Sequence, residues 1–195
     1  MPRPKPRLAA LLLVFLVPLL PAWACEAPAD ADLSAFDKNR MAGFDLSRDR
    51  GLAEAMLADS ADDRAVITGL FHGGEAAIEA IPDGSYRCRT IKMGGLLPLV
   101  VYGYFDCAIS GGGTLIEKRS GSQRFTGALT PVDGALFYAG ALHYGDEKPI
   151  AYGVDAERDQ VGCLYRVAGE TERYRLEMPA PLRESTHDVI ELVPR

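Results

Sequence analysis

PDGSYRCRTI, residues 82–91, marks the place where the sequence changes from a helical to a β pattern. Pro82-Asp-Gly84 has the composition of a turn. After it, Tyr86, Cys88 and Thr90 recur at every second position, which places them on one face of a strand. Cys88 lies between two arginines, so it could be a reactive thiolate, a metal ligand or half of a disulfide. These alternatives imply different compartments and different functions.

The chain after this stretch keeps the alternating pattern. Short runs with apolar residues at every second position are separated by turns such as Gly111-Gly-Gly113. The short links between them predict a mainly β fold, an antiparallel eight-stranded meander β-barrel, with a two-sheet sandwich as the alternative. Eight strands just suffice to enclose side chains or one small ligand. The side chains predicted to point inward are Phe105, Phe125, Leu136 and Leu176.

Residues 25–81 are expected to form an N-terminal helical segment in front of the β-barrel domain, residues 82–195. Ser34 and Ser60, each with an aspartate three residues later, resemble helix N-caps. Gly73-Gly74 is a suitable end for the last helix. Between the two caps, apolar residues recur with the period of a helix, although Gly51 weakens the predicted helix. Its predicted apolar face consists of Leu46, Leu52, Ala53, Met56 and Leu57.

The N-terminus is predicted to be an export signal. Three cations precede the apolar run Leu8–Leu20, which is shorter than the roughly 20 residues of a membrane span, and Ala22-Trp-Ala24 fits a cleavage site. We expect residues 1–24 to be removed and the protein to be periplasmic or secreted; an uncleaved membrane anchor is the rival interpretation. A lipid on Cys25 is disfavoured, because lipoprotein signals place Leu three residues before that cysteine and here the residue is Ala22.

The composition restricts the partners. Removal of the signal would leave 18 basic and 27 acidic residues, and this negative charge disfavours nucleic acid and anionic lipid as main partners. No integral membrane segment is expected after cleavage. The length and the 48% hydrophobic content suit one globular domain, and the oligomeric state is not predicted.

Several motifs resemble those of a family of exported bacterial proteins catalogued only as a domain of unknown function. The resemblance begins in the helical segment, at DLSRDRGLAEAML, and covers most of the chain after the signal. The other motifs are GSYRCRTIKMG, YFDCAI, SGSQRFTGAL, AYGVDAERDQVG, YRLEMPAP and STHDVIELVP. The resemblance implies export and a single domain but no activity, and Cys163 departs from the family pattern. Gly84-Ser-Tyr86 is also similar to the Gly-x-aromatic start of the first calycin strand, which implies a lipocalin-like barrel.

Export determines what the cysteines can do, because thiols tend to be paired in an oxidising compartment. Cys88 and Cys107 each follow an aromatic residue by two positions, Tyr86 and Phe105. We therefore expect the two cysteines to lie on the same face of adjacent strands and to form a disulfide, with a free thiol as the alternative. A metal site is disfavoured, because the chain has no C-x-x-C motif and its three histidines are scattered. The sequence leaves open whether the remaining pair, Cys25 and Cys163, forms a bridge.

The chain contains no known catalytic motif, and no cofactor is predicted. The candidate binding site therefore consists of charged residues in the strand motifs. They are Arg89, Arg124, Arg158, Asp159, Arg166 and Glu191. An arginine–carboxylate cluster at a barrel mouth could bind an anionic or sugar-like ligand. A solvated outer face with weak ion pairs is the alternative.

These patterns favour a soluble, exported, non-catalytic binding module for a small molecule or an envelope component. A protein inhibitor of an envelope hydrolase is the second hypothesis. The third is an enzyme that uses an arginine–carboxylate pair such as Arg158 and Glu191. A hollow barrel with an open mouth would favour binding, a packed interior with a protruding N-terminal segment would favour inhibition, and carboxylates converging in a cleft would favour the enzyme.

Overall fold

The computed structural model describes residues 25–195. The predicted signal, residues 1–24, lies outside the described residues. The helices are α1 (Ala35–Ala42), α2 (Phe44–Ala55) and α3 (Ala61–Phe71). The strands are β1 (Glu75–Ala76), β2 (Gly84–Met93), β3 (Leu99–Val101), β4 (Phe105–Ser110), β5 (Leu115–Lys118), β6 (Gln123–Val132), β7 (Ala135–Tyr144), β8 (Asp159–Val167), β9 (Tyr174–Pro179) and β10 (His187–Pro194). No helix within residues 25–195 is long and apolar enough to cross a membrane.

Eight of these strands form a closed antiparallel barrel. β2 pairs with β4, the strands from β4 to β10 pair in chain order, and β10 returns to β2. The order is that of a meander, so the barrel predicted from the sequence is confirmed and the two-sheet sandwich is wrong. β3 pairs with β2 beyond the end of the β4 ladder, and β1 pairs with the end of β8.

One end of the barrel is closed by apolar side chains. Ile78 and Ile81, from the segment between β1 and β2, belong to the same buried cluster as the inward-pointing residues of the strands. Tyr86 and Tyr174 meet edge to face there, with ring centroids 6.2 Å apart. The Ile78 amide donates to the carbonyl of Gly134 in the β6–β7 turn, which fixes this segment across the closed end.

The predicted inward side chains are mostly buried in this interior. Phe125, Leu136 and Leu176 are 3% exposed or less. Phe105 is only partly buried and packs against the edge of the cluster, because β4 begins there at the opposite, open end. The full core truncation cost of about 3–5 kcal/mol therefore applies to Phe125 and not to Phe105.

The helical segment packs on the outside of the barrel wall, and the predicted apolar face of α2 is wrong except for Leu52, which packs against a buried cluster. Leu46 and Leu57 are 65% and 75% exposed, whereas Phe44, Gly51 and Ala55 are buried. Gly51 permits this contact, because a Cβ at that position would lie 2.8 Å from the Cβ of His187. The predicted caps are present: Ser34 and Ser60 accept hydrogen bonds from the amides three residues later.

Two disulfides join the four cysteines. Cys88 and Cys107 are bridged inside the barrel with Cα atoms 5.7 Å apart. This confirms the disulfide predicted for them: Tyr86 lies opposite Cys107 and Cys88 lies opposite Phe105, so the cysteines do not face each other directly, but they share the inward face as expected. Cys25 and Cys163 form the second bridge, which fastens the start of the described chain to the outer wall.

Candidate functional site

The open end of the barrel contains a cavity of about 110 Å³. Seven of the eight barrel strands contribute lining residues, together with the β7–β8 and β9–β10 loops. We call this cavity the mouth. Its polar inner wall includes Thr90, Lys92, Lys118, Gln160 and Asp188. Pockets for drug-sized ligands measure about 300–1,000 Å³, so the mouth suits a molecule with only a few heavy atoms.

Lys118 is the most unusual residue of the mouth. It ends β5 with its side chain turned inward, and only 5% of the residue is exposed. Its Nζ donates to the Gln123 carbonyl at 2.8 Å and lies 4.3 Å from the Phe105 ring centroid. Among residues 25–195, no carboxylate lies within 4.0 Å of this Nζ. Burial, with the positive charges of Arg124 and Lys92 nearby, lowers the pKa of Lys118 to about 8.

Lys92 and Asp188 face each other on neighbouring strands of the mouth. Their register pairs them across β2 and β10, and the Lys92 Nζ lies 3.6 Å from the Asp188 carboxylate and 3.1 Å from that of Glu184. Burial raises the pKa of Asp188, although Lys92 and the hydroxyl of Ser185 oppose that shift. Lys92 therefore has carboxylate partners of its own, which Lys118 lacks.

The remaining wall of the mouth combines neutral polar groups with an apolar floor. The Tyr138 hydroxyl donates to Oε1 of Gln160 at 3.2 Å, which leaves the amide nitrogen of Gln160 as a donor. Thr90 adds a hydroxyl. The apolar lining consists of Phe125, Leu142, Met178 and Ile190. The mouth can thus receive a molecule that is polar at one end and apolar at the other.

Three of the six predicted site residues lie at or beside the mouth. Arg158 and Asp159 line it, and Arg124 acts on Lys118 through its charge. Arg158 is paired with Glu147 at 2.6 Å. Asp159 is 5% exposed, accepts from the Gly153 amide at 2.9 Å, and has its pKa raised by burial.

The other three predicted residues lie elsewhere. Glu191 is on the outer face of β10, where it pairs with Arg89 and with Arg173, whose Nε lies 2.7 Å away, and accepts from the Tyr104 hydroxyl at 3.1 Å. Arg166 is near the closed end, and its Nη1 donates to the Glu170 carbonyl at 3.4 Å. Because Glu191 and Arg158 belong to different surfaces, the structure does not bring together the pair considered for an enzyme.

A second charged cluster lies between the barrel wall and the helices. Glu177 of β9 is fully buried and receives hydrogen bonds from Arg48 of α2 at 2.7 Å and from Arg175 at 2.6 Å. Arg175 also donates to the Leu70 carbonyl at 2.5 Å and to Glu75 at 2.9 Å. This cluster holds α2 and α3 on the barrel.

Sequence reasoning missed Lys118, Lys92 and Asp188, although a signal for them was present. Lys118 follows the buried Ile116 by two residues, and Asp188 precedes the buried Ile190 by two. Period-two alternation places each charge on the inward face. A charged residue in phase with a core residue at a strand end indicates a polar barrel mouth.

In the described part of the chain, no group of three or more His, Cys, Asp or Glu residues is arranged to hold a metal ion. Both nitrogens of His143 lack a hydrogen-bond partner among residues 25–195, but the residue is on the outward face of β7 and takes no part in the mouth.

Comparison with known proteins gives a family and nothing more specific. A family model described as "Domain of unknown function (DUF4893)" matches residues 28–192. Because that match spans most of the chain, the protein belongs to this family. No curated protein and no solved structure matches the chain.

Proposed function

We propose that this member of the DUF4893 family is an exported, non-catalytic binding module that takes a small molecule into the open end of its barrel. The observation that carries the proposal is the mouth itself, a cavity of about 110 Å³ at one end of a barrel whose other end is filled. Concave sites that combine apolar walls with a few polar groups are typical of small-ligand binding.

The disulfides support the export part of the proposal. Stable bridges are typical of oxidising compartments, and all four cysteines are paired. The sulfur of Cys25 is bonded to Cys163, and a sulfur in that state is not available for a lipid. This favours a lipid-free periplasmic or secreted protein that begins at or near Cys25.

The two other hypotheses receive less support. An inhibitor that acts through a protruding N-terminal segment fits poorly, because Cys25, Leu33 and Phe44 are buried against the barrel wall. For an enzyme, Arg158 and Glu191 would have to share a cleft, and they face different surfaces. The proposal covers a free small molecule and a small component of the envelope alike.

The binding proposal can be tested by screening a set of fragments with the purified, disulfide-intact protein, using chemical-shift changes in ¹⁵N-labelled protein. Binders should perturb amides of β5, β7 and β10 at the open end. Leu142→Trp, which fills the cavity, should abolish their binding, whereas Thr130→Trp on the exposed face of β6 should leave it intact. Binding that survives Leu142→Trp, or no binder in the set, would overturn the proposal.

Export has its own test. Mass spectrometry of the protein from the exported fraction should show a chain that begins at or near Cys25, with no lipid and no free thiol. A diacylglycerol adduct on Cys25, or a retained Leu8–Leu20 segment, would contradict it.

A further inference from the structure

We infer that the mouth binds a small organic monocarboxylate, with the carboxylate seated against Lys118 and the apolar part on Phe125, Leu142 and Met178. This inference rests on the proposed function and specifies its ligand class.

The charge arrangement around Lys118 supports an anion. Its ammonium group is buried at the wall of a cavity, and the charges that act on it, Arg124 and Lys92, are both positive. A buried charge is costly unless it is paired. Lys92 meets this requirement through Asp188 and Glu184, whereas Lys118 has only a carbonyl and an aromatic ring. A carboxylate in the cavity would supply the missing partner.

The size and polarity of the mouth limit the anion to one charge and a short apolar group. A multiply charged ion such as phosphate needs several cations or many donors. Here the other cations of the rim are already paired, Arg158 with Glu147 and Arg183 with Glu157. The other polar groups of the mouth, the amide of Gln160 and the hydroxyl of Thr90, are neutral and add no cation that a multiply charged ion would need. The apolar floor would exclude the water that a bare inorganic ion retains.

The neighbouring carboxylates do not prevent this placement. Around the barrel, β2 and β4 separate β10, which carries Asp188, from β5, which carries Lys118. The ligand's carboxylate would therefore lie on the β4–β5–β6 side of the mouth. Asp159 and Glu157 enter at β8, across the barrel from Lys118.

The experiment compares butyrate with butyramide, its uncharged isostere, and with inorganic phosphate, by chemical-shift titration of the disulfide-intact protein at constant ionic strength. Butyrate should bind tightest. Lys118→Met should weaken butyrate about 10- to 100-fold, which is the usual value of a charge-assisted hydrogen bond, and should leave butyramide unchanged. Arg119→Met is the matched control, because Arg119 is the next residue in the chain, is exposed and is paired with Glu117 at 2.7 Å outside the mouth; it should change butyrate binding less than threefold.

Titration of the unaltered protein gives a second readout that does not depend on the variant. Between pH 7 and pH 9, butyrate affinity should fall about tenfold, because the free protein must recover a proton on Lys118 before binding. Butyramide affinity should not change. Equal binding of butyrate and butyramide, or no effect of Lys118→Met, would overturn the carboxylate inference while leaving the binding module intact. Tighter binding of phosphate would overturn the single-charge assignment, and failure of all three probes and of the fragment set would refute both proposals.

Discussion

Lys118 contributes an ammonium charge to a site that stabilises it poorly. Its pKa, about 8 in the folded protein against a usual 10.5, means that the charged form is less favourable in the fold than in the unfolded chain. We predict that Lys118→Met raises the free energy of unfolding at pH 7 by about 1–3 kcal/mol. A residue that lowers stability and faces a cavity is typical of a functional site.

The pH dependence of stability checks the same cause. Between pH 8 and pH 10.5 the unfolded chain holds more protons than the fold at this position, so the unaltered protein should gain stability as pH rises through that window. Lys118→Met should lack this gain in urea titrations. A variant less stable than the parent at pH 7 would show instead that the contacts with Gln123 and Phe105 are structural.

Gly51 and Gly69 are a matched pair of helical glycines with opposite expected outcomes. At Gly51, a Cβ would lie 2.8 Å from the His187 Cβ and 3.3 Å from the Met93 Cβ, which cannot yield without moving strands. At Gly69 in α3, the nearest atom is the flexible end of Arg173 at 3.6 Å. Gly51→Ala should therefore cost about 1–3 kcal/mol through overpacking, whereas Gly69→Ala should stabilise by up to about 1 kcal/mol through helix propensity. Thermal unfolding of both variants decides; a stabilising Gly51→Ala would mean that α2 can move away from the wall.

At the level of elements, the Glu177 cluster determines how firmly the helices hold to the barrel. Burial opposes the charged form of Glu177, but the neighbouring His187, whose Nε2 lies 3.4 Å from the carboxylate, and the charges of Arg175 and Arg48 lower the pKa of Glu177 to about 2. Glu177→Gln should cost about 3–5 kcal/mol, since it leaves buried arginines short of a partner. The matched control is Glu157→Gln, which breaks an exposed pair with Arg183 and should stay within about 0.5 kcal/mol.

The sign of the acid response follows from the lowered pKa of Glu177. Its contribution is complete above pH 4.5, the usual pKa, and is lost as pH falls toward 2. The unaltered protein should therefore lose stability across that window in denaturant titrations, and Glu177→Gln should show a smaller loss. Parallel curves for the two proteins would indicate that other carboxylates cause the acid sensitivity.

At the scale of the whole molecule, local patterns predicted the barrel better than they predicted the contacts between elements. Alternation such as Tyr86-x-Cys88 depends only on neighbours in the chain, so the strands and the meander could be read directly. The buried face of α2 could not, because Gly51 is buried by its approach to β2 and β10, and helix periodicity favoured the larger Leu46 and Leu57 instead. The position of the mouth could be predicted only in part for the same reason. The strand motifs included Arg158 and Asp159, which line the mouth, but which end of the barrel stays open depends on where Ile78 and Ile81 pack.

The two disulfides join parts of the chain at very different separations, and this gives the last prediction. In the chain-entropy view, closing 19 residues between Cys88 and Cys107 contributes about 3 kcal/mol, whereas closing 138 residues between Cys25 and Cys163 contributes about 5 kcal/mol. We therefore expect Cys25→Ser with Cys163→Ser to destabilise more than Cys88→Ser with Cys107→Ser in denaturant titrations under non-reducing conditions. Within each pair, the single variants should cost as much as the double, because one bond is lost in every case.

This ranking holds only if the N-terminal segment and the barrel unfold together. Cys25, Leu33 and Phe44 share a buried cluster with Phe137 and Tyr165 of the wall, so separation of the segment would expose barrel residues as well. If the Cys25–Cys163 bridge contributes less than the shorter one, the segment must detach before the barrel unfolds. Limited proteolysis would then cut ahead of α1 in the Cys163→Ser variant while the barrel remained intact, and the molecule would consist of two separately unfolding parts.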